Sequence, residues 1–129
     1  MFTVPDKSNY LKGLLILARK DDQLVDNEKN FIRTVAQKFG FSKDFYEDTL
    51  KSLMGNKYIT EEPIIFSNKQ VAELFLDDGF LLAFSDNVMD NEELNWLKII
   101  AKANGIDDEH VESLLLRHHI LRESTEGNS

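Results

Sequence analysis

Cysteine is absent from the 129 residues, which excludes disulfides, thiolate zinc sites and cysteine nucleophiles outright. Proline occurs twice and glycine six times, too sparsely for a loop-rich or low-complexity chain. No apolar run approaches the roughly 18 residues of a membrane span. The opening residues Met1-Phe2-Thr3-Val4-Pro5-Asp6 carry neither the basic patch nor the apolar stretch of a secretory leader. Basic residues are the minority, 15 against 23 acidic ones, for a net charge of -8. Such a field repels phosphate backbones, so nucleic acid is not an expected partner, whereas divalent cations and basic protein surfaces are favoured. These absences predict a cytoplasmic protein without a membrane span. No P-loop, dinucleotide fingerprint or nucleophile elbow occurs, and no enzymatic activity is expected.

What is present is a hydrophobic content of 42% with 29% charged residues, the balance of an ordinary globular domain. Its organisation is a repeat. Displaced by 65 residues, positions 14–50 align with 79–115 without a gap. Identities fall at Leu17/Leu82, Ala18/Ala83, Asp21/Asp86, Glu28/Glu93, Asn30/Asn95, Ala36/Ala101, Gly40/Gly105, Glu47/Glu112 and Leu50/Leu115. Those nine matches compare with roughly two or three expected from composition. Similar residues fill the apolar positions between them, including Phe31/Trp96, Ile32/Leu97 and Val35/Ile100.

Each copy has the pattern helix, acidic loop, helix, glycine stop, helix. Phe31, Ile32, Val35, Ala36 and Phe39 recur at helical spacing before Gly40, and Trp96, Leu97, Ile100 and Ala101 do so before Gly105. Ser42 opens a third helix whose buried side is expected at Phe45, Tyr46, Leu50, Leu53 and Met54. The prediction is a single all-α domain, a helical bundle of about six to eight helices built from two tandem, pseudo-twofold-related repeats. Repeat one covers about 8–54, a connector with Pro63 follows at 55–66, repeat two covers about 67–119, and a frayed tail occupies about 123–129. Ser67-Asn68-Lys69-Gln70 has the form of a capping box, and Asp77-Asp78-Gly79 is expected to bend or break the helix that follows. The core is expected at Leu17, Phe31, Val35, Phe39, Leu50, Leu82, Trp96, Ile100 and Leu115.

The loops joining the first two helices of each copy are Asp21-Asp22-Gln23-Leu24-Val25-Asp26-Asn27-Glu28 and Asp86-Asn87-Val88-Met89-Asp90-Asn91-Glu92-Glu93. Both start with Asp, carry an apolar residue fourth and end on Glu. Leu24 and Met89 would pin each loop while the carboxylates face solvent. One reading is helix capping, for which Asp90 and Glu93 have the right spacing, with Asp26 taking that part in the first copy, where Val25 stands at the place of Asp90. The other is a hard-cation site for Ca2+ or Mg2+ built on Asp21, Glu28, Asp86 and Glu93. An EF-hand is excluded, because its alternating ligands and central glycine are missing. His110, His118 and His119, aligned with the apolar Phe45, Leu53 and Met54, are expected to be partly buried and structural, and no zinc pattern exists.

This pair of loops at a fixed offset, each leading into an amphipathic helix, resembles the TerB family of tellurite-resistance-associated proteins, and is similar to the N-terminal module of a membrane-anchored DnaJ-type co-chaperone. The resemblance covers roughly residues 10–118. It implies an all-helical bundle with pseudo-twofold symmetry, cytoplasmic and tied to stress responses without a demonstrated general catalytic role; a protein partner is expected besides. It also implies a functional surface at Asp21, Glu28, Asp86 and Glu93. The chain departs from the family pattern where Asp22 and Asn87 replace glycine, residues that tolerate a left-handed turn better than most. A regulatory domain of co-chaperone type, holding a partner in an apolar groove, is the alternative.

Overall fold

The computed structural model describes residues 2–19, 26–55, 63–83 and 91–127, with side chains described at 2–18, 28–52, 63–83 and 91–118. Six helices make up the described chain: α1 (Val4–Arg19), α2 (Asp26–Lys38), α3 (Lys43–Gly55), α4 (Lys69–Ala83), α5 (Asn91–Ala103) and α6 (Asp108–Gly127). No strand occurs among the described residues, and the fold is an all-α bundle. No described helix is long and apolar enough to cross a membrane.

The helices keep the 65-residue register of the sequence. The starts of α1 and α4, of α2 and α5, and of α3 and α6 all lie 65 residues apart, as do the ends of α2 and α5. The local chemistry behind those boundaries repeats as well. Thr3 and Asn68 cap the first helix of each half, through Thr3 Oγ1 accepting from Asp6 N–H (3.1 Å) and Asn68 Oδ1 accepting from Val71 N–H (2.9 Å). Ser42 and Asp107 cap the third in the same way, on the N–H groups of Phe45 and His110. Gly40 and Gly105 terminate the second helix at φ values of 83° and 73°. Beyond each, Phe41 N–H and Ile106 N–H reach back to the carbonyls of Ala36 and Ala101 (3.1 and 2.9 Å), the Schellman closure that only a residue tolerant of left-handed backbone permits.

Packing follows hydrophobicity. Leu11, Leu14, Leu15, Ile16, Leu17 and Ala18 of α1 are all buried, as are Val71, Ala72, Phe75, Leu76, Phe80, Leu82 and Ala83 of α4. Helices apolar on so much of their circumference go to the centre of a bundle. There α1 and α4 pack on each other, α1 also holding α2 and α3 while α4 holds α5 and α6. Glycine sets the spacing: a Cβ on Gly13 would come within 2.6 Å of the Phe75 ring, and one on Gly79 within 2.8 Å of Leu97.

Several expectations are corrected. Asp77-Asp78-Gly79 does not break a helix, since α4 runs without interruption through it; the glycine serves close packing and one face of α4 tolerates the acids. The α4 cap is Asn68, not Ser67, because the Ser67 N–H (2.8 Å) and hydroxyl both bond to Asp6. The helix α6 continues to Gly127, through residues expected to fray. Leu17, Val35, Leu50, Leu82, Trp96 and Ile100 are buried as expected, whereas Phe31, Phe39 and Leu115 are half-buried at the edge of the core. Phe45 is exposed, stacked on Phe41 with centroids 5.0 Å apart, because the buried side of α3 is Tyr46 and Leu50. Leu53 and Met54 lie outside the described side chains. Pro63–Phe66 is extended without pairing as a strand, and Tyr58-Ile59 lies outside the described residues.

Two stability predictions follow from these placements. Trp96→Ala is expected to cost about 3 to 5 kcal/mol, and Phe31→Ala clearly less despite their equivalent positions, because only Trp96 is closed off from solvent; equal losses in denaturant unfolding would refute this asymmetry. Asp6 ties the start of α1 to the start of α4. Burial pushes its pKa up, but the hydrogen bonds from Ser67 and Thr3 outweigh that and hold it below the usual carboxylate value. A carboxyl more acidic folded than unfolded stabilises the fold above the unfolded pKa and loses that contribution as pH falls through the folded pKa. Asp6→Asn is therefore expected to cost about 1 to 3 kcal/mol at pH 7 and to converge with the parent protein at the acid end of a pH series of thermal melts.

Candidate functional site

Of the four carboxylates singled out in the sequence, two are described. Asp21 and Asp86, with the anchors Leu24 and Met89, lie outside the described residues. Glu28 and Glu93 are the third residues of α2 and α5, and both are buried, each with 4% of its surface exposed. The expectation that these two carboxylates face solvent is thus corrected. The third helical position explains the burial, since the free N–H groups and positive end of the helix dipole stabilise a carboxylate there.

The most elaborate polar arrangement lies elsewhere. On α4, Leu74, Asp77 and Asp78 are spaced to share one face. That face meets Tyr10 of α1 and the end of α2, where Val35 and Lys38 stand with Phe39 just beyond; Lys7 and Phe2 complete a cleft of about 530 Å³. Its wall is aromatic: Tyr10 and Phe39 are edge-to-face at 4.9 Å, and Phe2 lies 5.0 Å from Phe39 and 6.1 Å from Tyr10. The Tyr10 hydroxyl, in a residue 2% exposed, bonds to both the Leu74 carbonyl (2.9 Å) and the Asp78 carboxyl.

The single proton of the phenol lies between two acceptors, the Leu74 carbonyl and the Asp78 carboxyl. Burial and the neighbouring Asp77 raise the Asp78 pKa, opposed in part by the Tyr10 hydrogen bond and the positive charge of Lys38 and His118. Burial, with both aspartates nearby, also drives the Tyr10 pKa upward, so its hydroxyl stays protonated. Asp77 is held from α6, by His118 Nε2 at 3.0 Å and by Arg117. His118 is buried against Phe80, as expected of a structural histidine; His110 is half-buried and His119 lies outside the described side chains.

Chemically, the cleft offers an apolar, aromatic wall and a rim of two lysines, with its aspartates already engaged. A phenol held protonated is no nucleophile. A second cavity of about 570 Å³ between α2 and α3 is lined by Lys29, Arg33, Asp44, Glu47 and Asp48. There Arg33 grips Glu47 through two bonds (2.6 and 3.2 Å) and holds that carboxyl below its usual pKa, a self-contained ion pair. Among the described residues no cluster of three or more metal-ligating side chains occurs; the loop aspartates fall outside that set.

The sequence draws attention to Asp77 and Asp78 only as part of an expected helix break, and not at all to Tyr10, Lys7 and Lys38. The available signal was departure from the repeat: in the 65-residue register Asp78 stands opposite Gly13, Asp77 opposite Lys12, and Tyr10 opposite Phe75. No family model, curated protein or solved structure matches the chain.

Asp78→Asn is expected to stabilise the protein at pH 8 by about 1 kcal/mol, or roughly 3 to 5 °C in Tm. The sign follows from the raised pKa: the folded state favours the protonated carboxyl, so the native aspartate loses stability as pH rises from the unfolded pKa through the folded one. The amide can still accept from Tyr10. A variant less stable than the parent across pH 5 to 8 would show that Asp78 acts as a buried anion.

Proposed function

We propose that this chain is a non-enzymatic, TerB-like interaction module of a cytoplasmic stress response, that its halves arose by duplication, and that its twin acidic loops carry the recognition chemistry. The observation that carries the reading is the matched burial of Glu28 and Glu93 at the third position of α2 and α5. A buried carboxylate fixed at the end of each acidic loop gives a cation a rigid oxygen on the protein side. Asp21 and Asp86, seven residues earlier, supply the loop side. Ca2+ and Mg2+ take carboxylate oxygens in such loops, and a basic surface on a partner protein satisfies the same charge.

A second reading, a regulatory domain of co-chaperone type that holds a partner protein in an apolar groove, is supported by a different observation: the aromatic cleft between α1, α2 and α4. The two readings draw on different residues, and one molecule can use both.

Calorimetric titration with Ca2+, Mg2+ and Mn2+ tests the loops. The native protein is expected to bind at least one of them with a Kd of about 10 μM to 1 mM. The double variant Asp21→Asn, Asp86→Asn should bind at least about tenfold more weakly while keeping or gaining thermal stability. A double variant that loses stability, together with a native protein that shows no saturable heat at millimolar cation, would reduce the loops to helix capping.

A further inference from the structure

We propose that Asn104-Gly105 is a site of spontaneous covalent modification, the deamidation of Asn104, which the segment Pro63–Phe66 keeps closed and which opens when that segment lifts. The proposal is independent of the acidic loops and of the cleft. Asn104 is the only asparagine of the chain that is followed by glycine. A glycine nitrogen is the least hindered one that an asparagine side chain can meet, because no Cβ stands beside it.

The chemistry needs only water as co-reactant. The backbone nitrogen of Gly105 attacks Cγ of Asn104, the Cγ–Nδ2 bond breaks, and the Gly105 amide proton departs with Nδ2 as ammonia. The five-membered succinimide so formed takes up one water. Opening at Cγ leaves aspartate at position 104, and opening at the main-chain carbonyl leaves isoaspartate, with the backbone rerouted through the former side chain.

In the folded chain both reacting groups are occupied. Gly105 N–H donates to the Lys102 carbonyl (3.2 Å) in the turn that closes α5. The Asn104 amide is committed three ways: Nδ2 donates to the carbonyls of Ile64 (2.7 Å) and Ile100 (2.8 Å), and Oδ1 accepts from Phe66 N–H (2.8 Å). Its partners are the preceding turn of α5 and the extended segment, not the nitrogen that follows it. Two of the three bonds come from the segment, which is seated by Ile64 and Phe66 at 7% and 6% exposure, with the Phe66 ring 5.3 Å from Phe75. Lifting the segment leaves the amide one bond, to Ile100, and such local openings occur well below global unfolding.

The clamp, and not the turn, is what requires asparagine. In the 65-residue register Phe39-Gly40 stands at the place of Asn104-Gly105, and Gly40 closes α2 with the same left-handed backbone. The reactive pair arises because the clamp stands directly before an obligatory glycine. Reaction also removes the clamp. A carboxylate has no N–H to give, so at position 104 it would set an acceptor against the Ile64 and Ile100 carbonyls and leave both unsatisfied. Isoaspartate further lengthens the backbone by one methylene inside the closure that Ile106 N–H makes to the Ala101 carbonyl (2.9 Å). The segment, once released, is not gripped again, and the opening becomes a one-way change.

The test is peptide mapping of asparagine, aspartate and isoaspartate at position 104 in the full chain at pH 8, folded and in denaturing urea. The folded chain is expected to react at least about tenfold more slowly. Phe66→Ala should react at least about fivefold faster than the parent, whereas Leu50→Ala, which opens the core at α3 instead, should stay near the parent rate. Should Phe66→Ala fail to fold, the parent decides: below the unfolding midpoint, deamidation and amide exchange at Phe66 should rise together as urea is added. Asn104→Asp should raise exchange at Phe66 at least about tenfold. Equal rates in folded and unfolded chains, equal acceleration by Leu50→Ala, deamidation that follows global unfolding alone, or parent-like exchange at Phe66 in Asn104→Asp would each overturn the proposal.

Discussion

The direct packing of α1 on α4 is the contact on which the rest of this structure depends. Both helices are apolar around much of their circumference, so neither can rest at a surface, and each must be covered by partners on several sides. Gly13 removes the side chain that would otherwise meet Phe75 at 2.6 Å, so the helices approach closely enough for α2 and α3 to pack on one and α5 and α6 on the other. The Asp6–Ser67 bonds fix the axial relation of the pair, since Asp6 belongs to the first turn of α1 and Ser67 directly precedes the cap of α4.

Because the two central helices face one another, a residue on either of them can be shared by both halves, and this is where the halves differ most along the 65-residue register. Outer positions keep their character: Ile32 and Leu97, Ala36 and Ala101, Glu28 and Glu93 are buried alike. At the interface, Gly13 in one half corresponds to Asp78 in the other, and Phe75 to Tyr10. Glycine and phenylalanine make a dry seat for Ile64 and Phe66. Aspartate and tyrosine cannot be buried without hydrogen bonds, and they satisfy each other. A polar pair at that point prevents the first-half groove from closing as a hydrophobic contact and leaves the cleft.

Much of the fold was legible because helical periodicity, glycine stops and the repeat all report local constraints. Gly40 and Gly105 adopt the left-handed backbone that a helix stop requires, and the alignment placed α2 and α5 in one register. Where the reading failed, tertiary contacts had overridden local signals. Asp77-Asp78-Gly79 looks like a helix breaker by composition, yet Gly79 is required by its approach to Leu97 and the aspartates by Tyr10, Arg117 and His118. Ser67 looks like the cap, but Asp6, 61 residues away, draws it off. Phe31 and Trp96 align, yet only the larger ring is sealed. The cleft was illegible for the same reason: Tyr10, Lys38 and Asp78 come from three helices, and no spacing along the chain connects them. The acidic loops stood out because they are contiguous, but burial of Glu28 and Glu93 depends on packing that no spacing encodes.

The net charge of -8 acts differently on these two candidate sites. Long-range attraction draws a divalent cation or a basic surface toward the molecule, an effect that salt screens over a Debye length of about 10 Å at 0.1 M. Binding at the loops should therefore weaken as salt is added. At the cleft the aspartates are engaged within the molecule, Asp77 with Arg117 and His118 and Asp78 with Tyr10, so the same field has less purchase there.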